Sequence, residues 1–104
     1  MYYTLMFALE RVIGFDWDAG NSRKSTDKHG VSQAEAEQGF FNDPLVLADP
    51  AHSGSEVRFH ALGRTDEARL LHITFTLRQS GVKIRVISAR AMHRRERRIY
   101  EQGP

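Results

Sequence analysis

"LLHITFTLRQSGVKIRVIS" (Leu70–Ser88) alternates apolar and polar residues with period two on either side of "QSG". Leu71, Ile73, Phe75 and Leu77 fall on one face, and His72, Thr74, Thr76 and Arg78 on the other. Beyond the turn, Val82, Ile84 and Val86 point inward while Lys83 and Arg85 point outward. Such alternation marks half-buried strands, so the stretch predicts a hairpin. "EVRFHALGR" (Glu56–Arg64) just before it sets Val57, Phe59 and Ala61 against Arg58, His60 and Arg64. Short connections between these strands imply an antiparallel meander with one packed face and one open face. The open face would carry Arg58, His60, Arg64, His72, Arg78, Lys83 and Arg85, with no carboxylate on the strands themselves.

Towards the N-terminus, "VIGFDWD" (Val12–Asp18) reads as a first short strand ending near Trp17, and "AGNSRKSTDK" (Ala19–Lys28) as a short polar helix. Gly30 ends that helix. Ser32 followed three residues later by Glu35 is a capping box, which starts a second helix over Gln33–Phe40. "NDP" breaks the chain at Pro44, and "LVLADPAHSGSE" is a short strand followed by a loop. Towards the C-terminus, a final helix is expected to begin near Ala89 to Ala91. It carries Arg94, Arg95, Arg97 and Arg98, interrupted only by Glu96. Arginines in the first turns meet the positive end of the helix dipole and cost roughly 0.3–1 kcal/mol each. A bound phosphate reverses that sign, because helix N-terminal amides and arginines attract the same anion.

The 104 residues make one small domain, and an apolar fraction of 40% suits a globular chain. The residues before about 13 read as an extension: an extra strand, a helical lead-in, or a start-site artefact with Met6 as the alternative start. The absence of cysteine excludes disulfides, a thiol nucleophile and thiolate zinc sites. It also fits a reducing cytosol, so the expected location is cytoplasmic; the apolar runs are too short to span a bilayer. Net charge is only +2, but eight of the 15 Lys and Arg lie between Arg78 and Arg98, with Glu96 the sole acid there. That concentration favours phosphate or acidic partners.

An ordered set of short motifs resembles the BrnT family, ribonuclease toxins of type II toxin–antitoxin modules related to RelE and ParE. The set is "FDWD" (Phe15–Asp18), "KHGVS" (Lys28–Ser32), "FFNDPL" (Phe40–Leu45), Gly63–Arg64, "LLHITFTLR" (Leu70–Arg78), "IRVISAR" (Ile84–Arg90) and "RRERRIYE" (Arg94–Glu101). The resemblance runs from about Gly14 to the C-terminus. It implies an α+β, RelE/ParE-like small domain: an antiparallel sheet with two N-terminal helices and a basic C-terminal helix. It also implies messenger-RNA cleavage that blocks translation. The partner would be a BrnA-like antitoxin with a ribbon–helix–helix end, in a 2:2 complex. Many relatives carry a lysine three residues after "WD", where this chain has Asn21.

Cleaving RNA at its own 2′-hydroxyl requires a proton acceptor, charge stabilisation at the pentacovalent phosphate, and a proton for the leaving 5′-oxygen. No metal-ligand spacing links His29, His52, His60, His72 and His93, and neither metal nor cofactor is expected. Arg64, Arg78 and Arg90 are the expected phosphate and transition-state clamps, because the guanidinium fork matches phosphate oxygens. Lys28 and His29 join them as candidates for phosphate contact and proton transfer, although both also simply suit a helix C-terminus. Arg58, Lys83, Arg85, Arg94, Arg95 and His93 are the expected RNA-binding residues. Glu96 is a candidate to act as a base or to orient Arg78 or Arg90, with i,i+4 helix pairs as the structural alternative. The competing reading is a non-catalytic nucleic-acid- or partner-binding module using the same basic surfaces. Phe15, Phe59 and Phe75 lie on apolar faces, which argues against a base-stacking platform.

Overall fold

The computed structural model describes residues 9–52, 54 and 56–103. Most of the expected N-terminal extension, including Met6, lies outside the described residues. The chain runs β1 (Gly14–Phe15), α1 (Ala19–His29), α2 (Gln33–Gln38), β2 (Leu45–Ala48), a 3-10 turn (Pro50–His52), β3 (Arg58–Arg64), β4 (Leu70–Arg78), β5 (Lys83–Ala91) and α3 (Arg94–Gln102). The fold is α+β, with one five-stranded sheet in the order β1-β5-β4-β3-β2.

The meander β2–β3–β4–β5 is antiparallel, as the alternation predicts. The sheet as a whole is mixed, however, because β1 pairs with β5 in parallel. β1 is also shorter than the expected Val12–Trp17 strand. The chain leaves the sheet at Asp16, whose amide donates to Ile84 O (2.8 Å), because Asp18 then opens α1. Asp18 accepts from the Asn21 amide (3.1 Å) while Asn21 Oδ1 accepts from the Asp18 amide (2.8 Å). Gly30, at φ 65°, closes the helix in the left-handed conformation that glycine adopts without penalty.

α1 has almost no apolar surface, and it attaches to β5 through polar side chains instead. Asn21 Nδ2 donates to Val86 O (3.0 Å), and Ser25 Oγ accepts from the Ala89 amide (2.7 Å). These groups lie on the part of β5 that β1 does not reach, so α1 satisfies backbone that would otherwise be a bare edge. α2 starts at the Ser32–Glu35 capping box, as predicted, but ends at Gln38 rather than Phe40. Gly39 then presses its backbone against Gly63 of β3; a Cβ on Gly63 would lie 2.1 Å from Gly39 O.

Ala36 of α2, Phe40 just beyond that helix, and sheet residues including Ile73, Phe75 and Val86 form the main core on one face. The opposite face is not fully open. α3 lies across one end of it, and Met92, Ile99 and Tyr100 close a second, smaller core over Leu45, Leu62 and Leu70. Two further expectations change together. The final helix begins at Arg94 rather than near Ala89 to Ala91, because β5 continues to Ala91 opposite Leu71. Thr74 pairs with Ser88 and Phe75 with Val86, so Ile87 is an extra, bulged residue. The bulge swaps the alternation: Ala89 turns into the core, and Arg90 faces outward opposite His72.

Candidate active site

Between the outer sheet face and the first turns of α3 lies a cleft of about 410 Å³. Leu47, Leu62 and Ile99 form its apolar wall, and Arg95 and Glu96 its helix side. His60 from β3 and His72 from β4 complete it, their rings stacked at 4.7 Å and 25°. Sheet register explains the stacking. Residue 60 pairs with 74 and residue 62 with 72, so the two histidines are diagonal neighbours on one face.

Each histidine is held differently. His60 Nε2 lies 2.7 Å from Asp49 Oδ2, and Nδ1 lies 3.1 Å from Thr74 Oγ1. A carboxylate at Nε2 favours the tautomer with its proton there, leaving Nδ1 as an acceptor for the Thr74 hydroxyl. His72 is largely buried, and burial lowers its pKa to about 4; Glu96 opposes that shift, and Arg90, His60 and His93 reinforce it. Its ring is therefore neutral at physiological pH.

Glu96 joins these parts. Arg90 grips it with two hydrogen bonds, Nη1 to Oε1 (2.8 Å) and Nη2 to Oε2 (2.7 Å). The His93 amide also donates to Oε1 (2.8 Å), which places an acceptor at the start of α3. Burial alone would raise the Glu96 pKa, but the Arg90 fork, the His93 amide and the neighbouring charges hold it at about 2. Of the sequence alternatives for Glu96, orienting Arg90 is the contact formed.

The expected bare basic face is largely neutralised by carboxylates from loops. Arg78 meets Glu56, with Nε 2.9 Å from Oε2, though off axis for a hydrogen bond, and Nη2 donating to Oε1 at 3.1 Å. Arg85 lies 3.5 Å from Asp16 and 3.0 Å from Asp18. Arg64 donates to the Tyr100 hydroxyl (2.9 Å) and lies 3.6 Å from Asp43. Arg58 and Lys83 lie on the same face, partly exposed. Arg94, Arg95, Arg97 and Arg98 are exposed on α3 and form no ion pair among the described residues.

The three expected clamps are not brought together. Arg64 pairs with Leu70, and Arg78 lies at the far end of the same strand, roughly 27 Å away. Arg90 lies opposite His72, nearer Arg64. Lys28 and His29 end α1 beside α2; both are exposed, neither lines the cleft, and neither side chain is held by another described residue. His93 precedes α3, exposed. Among the described residues, no three His, Asp or Glu side chains converge in a way that could hold a metal ion. No helix among them is long and apolar enough to cross a membrane.

Comparison with known proteins identifies the family. Residues 17–96 match the family model described as "Ribonuclease toxin, BrnT, of type II toxin-antitoxin system". The chain belongs to the BrnT family. The crystal structure of the Brucella abortus ribonuclease toxin BrnT aligns with a TM-score of 0.60, covering 80% of this chain and 100% of that one. At 20% identity, that likeness concerns the fold. No curated protein sequence matches.

A BrnT-type toxin of a type II module has an antitoxin partner and acts as a ribonuclease, and the matched span contains every polar residue of the cleft. Two of those, His60 and His72, the sequence reading did not select, and neither did it select Asp49, which backs His60 from behind the cleft. The period-two pattern already put both histidines on one face; only the strand register made them neighbours. Asp49 had no signal beyond its place at the end of β2. Asn21, where many BrnT relatives have lysine, is buried and caps α1, away from the cleft.

Proposed function

We propose that this BrnT chain is a metal-independent endoribonuclease that cleaves messenger RNA in the cleft beneath α3. The observation that carries the proposal is the convergence on one cleft of an Asp49-backed histidine and Arg95, which forms no ion pair among the described residues. His60 Nδ1 takes the 2′-hydroxyl proton, that hydroxyl displacing the one from Thr74. Asp49 holds the ring in the accepting tautomer and stabilises the imidazolium that forms. The exposed arginines of α3 other than Arg95, with the positive N-terminal end of the helix, face the charge that develops on the phosphate. The leaving 5′-oxygen departs on the open side, where solvent supplies its proton. His72, neutral and enclosed, serves as wall rather than acid. Arg94, Arg97 and Arg98 bind the flanking phosphates, and Arg58, Lys83 and Arg64 border the same face. Arg78, Arg85, Lys28 and His29 have no role in this chemistry.

The natural inhibitor in this reading is a BrnA-like antitoxin with a ribbon–helix–helix end, in a 2:2 assembly working in the cytoplasm. Purified free of antitoxin, the protein should cut messenger RNA in excess chelator and leave 2′,3′-cyclic phosphate ends. His60→Ala should lower the rate by roughly 10²–10⁴-fold, Asp49→Asn should also be impaired, and Arg78→Ala should remain near wild type. Cleavage that requires an added divalent ion overturns metal independence. RNA bound but left intact, even on ribosomes, favours a binding module.

A further inference from the structure

We infer that the cleft beneath α3 is a nucleobase subsite that selects guanine, an assignment that rests on the ribonuclease reading of the same site. A ribose-phosphate backbone has no use for a wall of Leu47, Leu62 and Ile99, whereas a flat heteroaromatic ring does. The stacked His60 and His72 imidazoles add aromatic surface beside that wall, and bases splayed from single-stranded RNA are held by such surfaces. The volume of about 410 Å³ lies within the range of small-molecule sites, about 300–1,000 Å³.

The polar groups at the helix side set the choice of base. Glu96 offers about four lone-pair sites. Three are taken by the His93 amide and the two Arg90 nitrogens, leaving one on Oε2 to accept an N–H. Arg95 has no ion partner among the described residues, so its fork is open to a pair of adjacent acceptors. The matching ligand therefore presents two neighbouring acceptors next to an N–H donor. Guanine does so with O6, N7 and N1–H. Cytosine repeats the pattern on a smaller ring, with less surface for the apolar wall. Adenine lacks the second acceptor, and uracil places its N–H between its two oxygens.

The test is binding rather than turnover, on the intact chain without antitoxin. Guanosine, cytidine, adenosine and uridine 5′-monophosphates are titrated by calorimetry and by NMR, with ribose 5-phosphate as the phosphate-only probe. The expected order is guanosine first, cytidine second, and adenosine and uridine at least tenfold weaker than guanosine, with shifts at His60, His72 and Ile99. Arg95→Lys keeps the charge but loses the fork; it should bring guanosine down to the adenosine level. Arg78→Ala, outside the cleft, should bind as the wild type does. Ribose 5-phosphate binding as well as guanosine monophosphate, any other base binding more tightly, or shifts outside the cleft overturn the assignment. No nucleotide binding also overturns it. Guanosine selection in a protein that cuts no RNA would instead remove the nuclease reading and leave the subsite standing.

Discussion

His72 sets the pH response at the scale of one residue. Its folded pKa of about 4 lies below the ordinary value of 6.5, so the unfolded chain takes up the proton first. Stability is therefore complete above about pH 6.5 and falls as pH drops towards 4, by at most about 1.4 kcal/mol per pH unit. Glu96, with its pKa at about 2 against an ordinary 4.5, contributes stability that is lost only as pH falls below 4.5 and through 2. The window between 6.5 and 4.5 thus separates the two. Urea melts from pH 7.5 to 5 should show the slope, and His72→Phe should flatten it; an unchanged slope in that variant would refute the assignment. His72 was visible in the sequence as an outward residue of a strand. Its burial was not, because that depends on α3 returning over the sheet.

Elements meet at two places where one atom decides the outcome. Gly63→Ala puts a methyl 2.1 Å from Gly39 O, a backbone atom that cannot rotate away. The loss should be about 3 kcal/mol or more, comparable to severe overpacking, and chemical denaturation measures it. The β3–β4 turn offers the opposite change. Ala68 sits at φ 66°, with its amide bonded to Thr65 O (2.9 Å), where a three-residue hairpin loop prefers glycine. Ala68→Gly should raise stability by roughly 0.5–1 kcal/mol, since relief of the left-handed strain outweighs the added freedom of the unfolded chain. A lower melting temperature would contradict that balance. The sequence exposed the hairpins and the Ser32–Glu35 cap because those signals are local. The Gly39–Gly63 contact joins two distant segments, and nothing in either segment alone announces it.

Across the whole molecule, charge is divided between paired and free cations. Loop carboxylates hold Arg64, Arg78 and Arg85, and Glu96 holds Arg90, while the outer surface of α3 keeps its arginines unpaired among the described residues. Replacing Arg94, Arg97 and Arg98 together by alanine should weaken RNA binding and reduce its logarithmic salt slope by about 0.7 for each phosphate that is no longer neutralised. The variant should melt at or above the wild-type temperature, because like charges three and four residues apart repel. Salt-dependent binding curves and thermal melts of the same preparation decide this; an unchanged slope would move the RNA track off α3.

Local patterning along the chain already carried the meander strands and their two faces, the Ser32–Glu35 cap, the family and the arginine concentration at the C-terminal end. Those follow from periodicity, capping and turn chemistry, which act over a few residues. Tertiary structure decided which groups meet. The Ile87 bulge turns Arg90 outward to Glu96, and register stacks His60 on His72. The turn after β2 brings Asp49 to His60, and α3 folds back to enclose them. Each of these depends on how the strands and α3 pair through space, and side-chain alternation along one strand carries no record of its partner.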